Sequence, residues 1–266
     1  MSPKIEESNK MLEKSQAIIN NEANNSIANS IDEDNSEQKK YILYLHGGSY
    51  VGEPGEEHWK FLQDLVIDTN RTVILPDYPL APKYTYKEVF NMIKPLYENM
   101  LKKISHENII LMGDSAGGGM ALALEEYLSE ENIELPQKLI LISPWLDVTM
   151  TNSKIDEVQK NDKDLNKEAL KLAGKLYAGK DGMENYLVNP INGPLEKLKN
   201  VTIYTGTYDI LNPDVHILIE KANNVNVNIT LKEYEGAGHI WIVRKNDSPS
   251  KIAEEAYKDL LKTIDN

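Results

Sequence analysis

The sequence predicts an α/β fold: a mostly parallel central sheet with helices on both faces and a small or reduced cap. Three observations predict it. From residue 41 onward, short aliphatic runs alternate with longer amphipathic stretches. The aliphatic runs are nearly continuous and rich in Val, Ile and Leu, as strands buried on both faces of a parallel sheet must be. Glycine-rich turns follow two of them, where the chain has to leave a strand abruptly.

The elements follow in order. Residues 1 to about 40 differ in texture from the rest. Ile5, Leu12 and Ile19 recur at seven-residue spacing beside Met11 and Ile18, giving a narrow apolar stripe on one helix. An Asn-, Ser- and acid-rich connector follows and has little to pack. This leader is expected to be a flexible tail or a tethered lid, and residues 41–266 to form the α/β domain. Six strands are expected: YILYL (41–45), TVILP (72–76), NIILMG (108–113), KLILIS (138–143), VTIYTG (201–206) and VNITLKEY (227–234). Helical stretches lie between them, over about 56–70, 87–104, 116–132 and 213–224, and another closes the chain over 248–265. The segment from about 147 to 186 breaks the rhythm. It is highly charged, carries one helix (NKEALKLAGKLYAG) and is too long for a simple crossover, so it reads as a cap-like insertion above the carboxyl ends of the strands.

Composition removes several function classes. The 266 residues include no cysteine, which excludes disulfide scaffolds, thiolate metal sites and cysteine nucleophiles together. With 42 acidic against 29 basic side chains the formal charge is −13, so a phosphate-backbone partner is not expected. No metal site is read in the sequence. The first twenty residues hold no signal-peptide core, and no window approaches a bilayer-spanning length. Stable membrane insertion is therefore not expected. The expected location is the cytoplasm, or the exterior if a leader is removed. Oligomeric state has no signature in the sequence.

The chemistry is concentrated in a few blocks. NIILMGDSAGGGMALALEEYL runs from strand to helix through Gly113-Asp114-Ser115-Ala116-Gly117, which fits G-x-S-x-G. Such a turn holds its central residue in a strained backbone conformation that projects the side chain above the sheet, and the flanking glycines remove clashing Cβ atoms. Ser115 is the candidate nucleophile. A phosphate loop is excluded because no Lys follows the glycines.

The first strand enters His46-Gly47-Gly48-Ser49-Tyr50. An acyl-transfer intermediate needs backbone N–H donors aimed at its oxygen, and paired glycines allow the close approach. Gly47, Gly48 and Ala116 are the candidate donors, with His46 bracing the loop. A serine nucleophile needs a base and an orienting carboxylate. Of five histidines, His239 lies in a Gly-flanked loop after the last strand, whereas His58, His106 and His216 fall on or near helices. For the acid, Asp209 stands just past the strand VTIYTG, and Asp214 is expected to cap the next helix. Tyr50, Tyr78, Trp145 and Trp241 lie beside these motifs and could line a substrate pocket, although each reads equally well as a core aromatic.

Taken in order, LYLHGGSYV, ILPDYPLAP, GDSAGGGMAL, LISPWLDVT, NPINGPLEKLKNVTIYTGTYDIL and GAGHIW resemble the α/β-hydrolase superfamily, specifically the bacterial hormone-sensitive-lipase-like esterases and acetyl esterases. The resemblance covers about residues 41–245. It implies an α/β-hydrolase fold and a cofactor-free carboxylic-ester hydrolase acting through an acyl-enzyme on small, short-chain esters. By this likeness Ser115 is nucleophile, Asp209 acid and His239 base, with Gly47, Gly48 and Ala116 as the oxyanion hole. Ser49 stands where many relatives have a third glycine, the leader is shorter and more polar than a usual cap, and DILNPD replaces a more charged run. The competing expectations are a non-enzymatic binding protein on the same fold, or a peptidase or acyltransferase with the same triad.

Overall fold

The aliphatic runs become one sheet in the computed structural model, which describes residues 39–180 and 182–266. Of the leader helix and connector expected over residues 1–40, residues 1–38 lie outside the described residues. The strands are β1 (Tyr41–Leu45), β2 (Thr72–Ile74), β3 (Ile109–Asp114), β4 (Lys138–Ile142), β5 (Val201–Gly206) and β6 (Ile229–Tyr234). They pair in the order β2-β1-β3-β4-β5-β6, every pair parallel. The helices are α1 (Glu56–Thr69), α2 (Tyr86–Leu101), α3 (Ser115–Glu130), α4 (Ile155–Val158), α5 (Lys167–Ala178), α6 (Asn212–Asn224) and α7 (Lys251–Asp265). Each run read from residue 41 onward has its counterpart, with ends shifted by up to three residues; among the described residues the single-turn α4 and the short 3-10 helices His106–Asn108 and Pro190–Asn192 were not foreseen.

The period-two alternation of the strands sorts the core into two layers. Tyr41, Leu43 and Leu45 point to the face covered by Phe90 and Ile93 of α2, Leu122 of α3 and Leu218 of α6. Ile42 and Tyr44 point to the other face, against Phe61 and Leu65 of α1 and Ala256 and Leu260 of α7. A parallel sheet covered in this way explains why its inner strands β1, β3 and β4 carry almost no polar residue, whereas the edge strand β6 carries Thr230, Lys232 and Glu233. The strand order reverses at β1, so the carboxyl ends of β1 and β3 open a crevice, the usual ligand position in open α/β sheets. The HGG loop and the Ser115 turn both start there.

One feature of α3 is costly. Glu125 and Glu126 are fully buried, and none of their carboxyl oxygens has a well-formed hydrogen bond. Burial pushes both pKa values well above the carboxylate range. The Lys199 backbone amide opposes this at Glu125, and at Glu126 the Lys221 charge opposes it while Glu125 adds to it. Below the unfolded-state pKa of about 4.3, both states are protonated. Above it only the unfolded chain ionises freely, so stability falls as pH rises towards the folded-state values. Glu125→Gln and Glu126→Gln are therefore expected to melt near wild type at pH 4 and above it at pH 8. Each kcal/mol of that gap moves Tm by about 2–4 °C. Calorimetric scans at both pH values check this, and a pH-independent difference would contradict it.

Candidate active site

Ser115 opens α3 at the carboxyl end of β3, with φ of 53°, a conformation that a residue with a side chain rarely holds. The flanking glycines make the turn feasible. A Cβ on Gly113 would strike the Gly117 carbonyl oxygen, and one on Gly117 would meet the Leu45 carbonyl oxygen. A Cβ on Gly119 would in turn strike the Trp145 carbonyl oxygen, so the helix start sits tightly against the loop after β4. Trp145 N–H donates to the Ser115 carbonyl at 2.9 Å and fixes the turn from that side.

His239 lies in the loop after β6, its Nε2 2.9 Å from Ser115 Oγ. Its Nδ1 is 2.9 Å from Asp209 Oδ2. The carboxylate can only accept, so Nδ1 carries the proton and Nε2 is left to accept from the serine hydroxyl. All three side chains are buried. Burial alone would lower the His239 pKa. The Asp209 charge and hydrogen bond outweigh it, Asp114 and Asp162 add to them, and the result lies above the ordinary 6.5.

The loops that carry Asp209 and His239 are tied to each other and to the sheet. Tyr208 N–H donates to the Ala237 carbonyl at 3.0 Å, continuing the β5–β6 pairing beyond the strands. Asp209 Oδ1 accepts from Leu211 N–H at 2.9 Å, which orients Oδ2 towards the imidazole. Ile240, at φ 45°, donates its N–H to Ser143 Oγ at the end of β4. The 147–186 insertion reaches the same place. Asp162 Oδ2 accepts from Ile210 N–H at 2.9 Å, and Asp164 pairs with Arg244.

The HGG loop is wound tightly, with positive φ at Gly48 (116°), Ser49 (55°) and Tyr50 (65°). Burial pushes the His46 pKa down to about 4. The neutral ring stacks on Tyr78 at 4.3 Å, and the Tyr78 hydroxyl donates to the His46 carbonyl at 2.6 Å. His46 thus braces the loop, as its position suggested.

Gly47 requires a correction. Its N–H donates to Asp114 Oδ1 at 3.0 Å, which takes it out of the expected donor set. Its lack of a side chain serves another purpose, since a Cβ there would collide with Asp114 Oδ2. Among the described residues, Gly48 and Ser49 of the loop and Ala116 after the serine keep N–H groups that nothing engages.

Two further expectations change. Asp214 does not cap α6. It sits inside the first turn, buried, and accepts from Asn152 Nδ2 at 2.8 Å, with burial raising its pKa to about 6. The four aromatic candidates do not form one group. Tyr50 stacks between Trp145 (5.1 Å) and Tyr177 of α5 (3.7 Å), while Tyr78 lies on His46. Trp241 belongs to the core layer on the opposite sheet face, beside Tyr234. Periodicity could not separate them, because all four are buried apolar rings near motif residues.

Sequence reasoning did not pick out Asp114, His58 and Tyr44, which form a buried network directly behind the serine. Asp114 Oδ1 accepts from the Tyr44 hydroxyl at 2.7 Å, and Oδ2 lies 3.2 Å from His58 Nε2. The signal available was an ionisable residue inside the apolar strand-to-helix turn.

Comparison with known proteins agrees with this geometry. Residues 42–243 match the family model described as the alpha/beta hydrolase fold. An esterase of Acinetobacter venetianus is 34% identical over 223 residues, 81% of this chain and 74% of the relative. An acetyl-hydrolase of Streptomyces hygroscopicus is 27% identical over 206 residues, covering 75% and 67%. Among solved structures, a hormone-sensitive lipase from a metagenome library superposes with a TM-score of 0.80 at 26% identity, over 86% of this chain and 79% of that one. A parallel six-stranded sheet, a serine turn after its third strand and an imidazole within reach of that serine accompany these likenesses, and the chain belongs to the α/β-hydrolase fold family, in its hormone-sensitive-lipase-like carboxylesterase branch.

Proposed function

We propose that the protein hydrolyses short-chain acyl esters of small molecules through an acyl-enzyme on Ser115. The observation that carries this reading is one imidazole held at 2.9 Å from both Ser115 Oγ and Asp209 Oδ2. His239 Nε2 takes the serine proton as Oγ bonds to the ester carbonyl carbon. The carbonyl oxygen becomes an oxyanion facing the N–H groups of Gly48, Ser49 and Ala116, and the positive end of the α3 dipole supports it. Collapse breaks the bond to the alcohol, which leaves with the proton from His239. Water then gives its proton to the same nitrogen and attacks the acyl carbon, and release of the carboxylic acid restores Ser115. Hydroxyl, imidazole, carboxylate and backbone amide suffice for every step.

A short acyl limit is supported by the Tyr177–Tyr50–Trp145 stack. It fills the space between the oxyanion loop, the loop after β4 and α5 with three buried rings. Tyr177 comes from the insertion, so residues 147–186 act as a small cap. The name of the Streptomyces relative points to the same substrate size. No helix among the described residues is long and apolar enough to cross a membrane.

Two measurements test the reading. A fluorophosphonate probe is expected to label the protein at Ser115, located by peptide mass. The kcat/KM values for p-nitrophenyl acetate and butyrate should exceed that for the decanoate by at least about tenfold, given what a pocket gains or loses per methylene. Absence of both labelling and hydrolysis overturns the proposal. Equal rates at all chain lengths overturn the acyl limit.

A further inference from the structure

Asp114 occupies the N-cap position of α3, where a carboxylate ordinarily turns back to accept from the first-turn amides. Here it makes no such bond. The side chain points the other way, into a fully buried site, and accepts from Tyr44 O–H and Gly47 N–H on Oδ1 and from His58 on Oδ2. Two consequences follow. The Ala116 N–H is left uncapped beside the nucleophile, and the first residue of the oxyanion loop is anchored to the residue immediately before Ser115.

His58 controls the remaining oxygen. It is the third residue of α1, and its Nδ1 accepts from the N–H of the N-cap residue Gly55 at 3.1 Å. A nitrogen that accepts there has no proton, so the proton of the neutral ring is on Nε2, directed at Asp114. The start of α1 thus sets the tautomer of His58, His58 orients Asp114, and Asp114 fixes Gly47. The ring is almost wholly buried and does not reach the reacting atoms, since its polar contacts are with Gly55, Glu57 and Asp114.

We infer that His58 is a positioning residue for the oxyanion hole, acting through the Asp114 carboxylate on the loop that carries Gly48 and Ser49. This rests on the serine-esterase reading above. Misaiming donors by a fraction of an ångström weakens transition-state binding far more than substrate binding, so the effect should fall on kcat.

The test compares wild type, His58→Ala and His58→Gln with p-nitrophenyl butyrate and with butaneboronic acid, which forms a tetrahedral anionic adduct on a reactive serine. His58→Ala is expected to lower kcat by about 10–100-fold, less than outright loss of a donor. KM should stay within about threefold, and the boronate Ki should rise by the same factor that kcat/KM falls. The Gln side chain can accept from Gly55 with its oxygen and donate to Asp114 with its nitrogen, so it should recover most of both. Fluorophosphonate titration counts competent sites and corrects for unfolded protein. An unchanged boronate Ki in His58→Ala, with or without a lower Tm, overturns the inference, as does a Gln variant no better than Ala per titrated site. A wild type that neither hydrolyses the ester nor binds the boronate instead refutes the esterase reading, so the two failures are distinguishable.

Discussion

Replacement of Ser115 by alanine is expected to lower kcat/KM for p-nitrophenyl butyrate by about 10⁶-fold, the scale on which a serine hydrolase loses its nucleophile. The proposed function places the whole covalent pathway on Oγ, and His239 Nε2 has no other hydroxyl in hydrogen-bond contact among the described residues. The residue stands at φ 53°, and alanine is no worse than serine there, so Tm should remain within a few degrees of wild type. A residual acceleration of about 10³–10⁴ over water should persist from the oxyanion donors and binding alone. The double variant Ser115→Ala with His239→Ala should be no slower than either single one, because the pair acts as a unit. Steady-state kinetics on protein verified by calorimetry decide the matter. A Ser115→Ala variant within tenfold of wild type would move the chemistry elsewhere.

Asp209→Asn should cost about 10⁴-fold in kcat at neutral pH while leaving the fold intact. Asparagine keeps an oxygen for Leu211 N–H but turns an amide donor towards His239 Nδ1. The imidazole then holds its proton on Nε2, facing Ser115, and cannot accept another in neutral form. Loss of the carboxylate also removes the largest influence that offsets burial at His239. In wild type, activity should fall as pH drops through the raised His239 pKa, since the protonated ring cannot act as base. In Asp209→Asn that acid limb should move to lower pH. The control is Asp214→Asn, which faces Asn152 and should leave kcat within about threefold of wild type. Comparable losses in the two variants would contradict the assignment of the acid.

Much of this was legible before the structure because it depends on near neighbours. Strand runs and amphipathic helices declare themselves by periodicity, and the order of elements follows the chain. The serine turn was legible too. A positive φ flanked by positions that admit no Cβ requires glycines at fixed offsets, and Gly113 and Gly117 are those glycines. His239 stood out from the other histidines by its loop. Asp209 stood out by its distance from a strand end.

The misreadings fall where a partner comes from far along the chain. Gly47 looked like a donor because paired glycines permit close approach. The close approach is to Asp114, 67 residues later, and it takes up the amide. His58 does lie on a helix, as its context suggested, but nothing local pointed to its partner 56 positions away. Asp214 had the local context of a cap, and Asn152 of the insertion claims it instead.

The sequence by itself determined the α/β alternation, the strained serine turn and the candidate for the base, because each is a demand that a few consecutive residues must meet. Only the tertiary structure decided which backbone amides stay free for an oxyanion, which buried carboxylates serve the imidazole and which hold loops, and which aromatic rings share a face. Those outcomes depend on donors and acceptors from β1, α1, β3, β5 and the insertion meeting at the carboxyl end of the sheet. A buried polar group takes whichever partner the fold delivers, since leaving it unpaired costs about 1–3 kcal/mol.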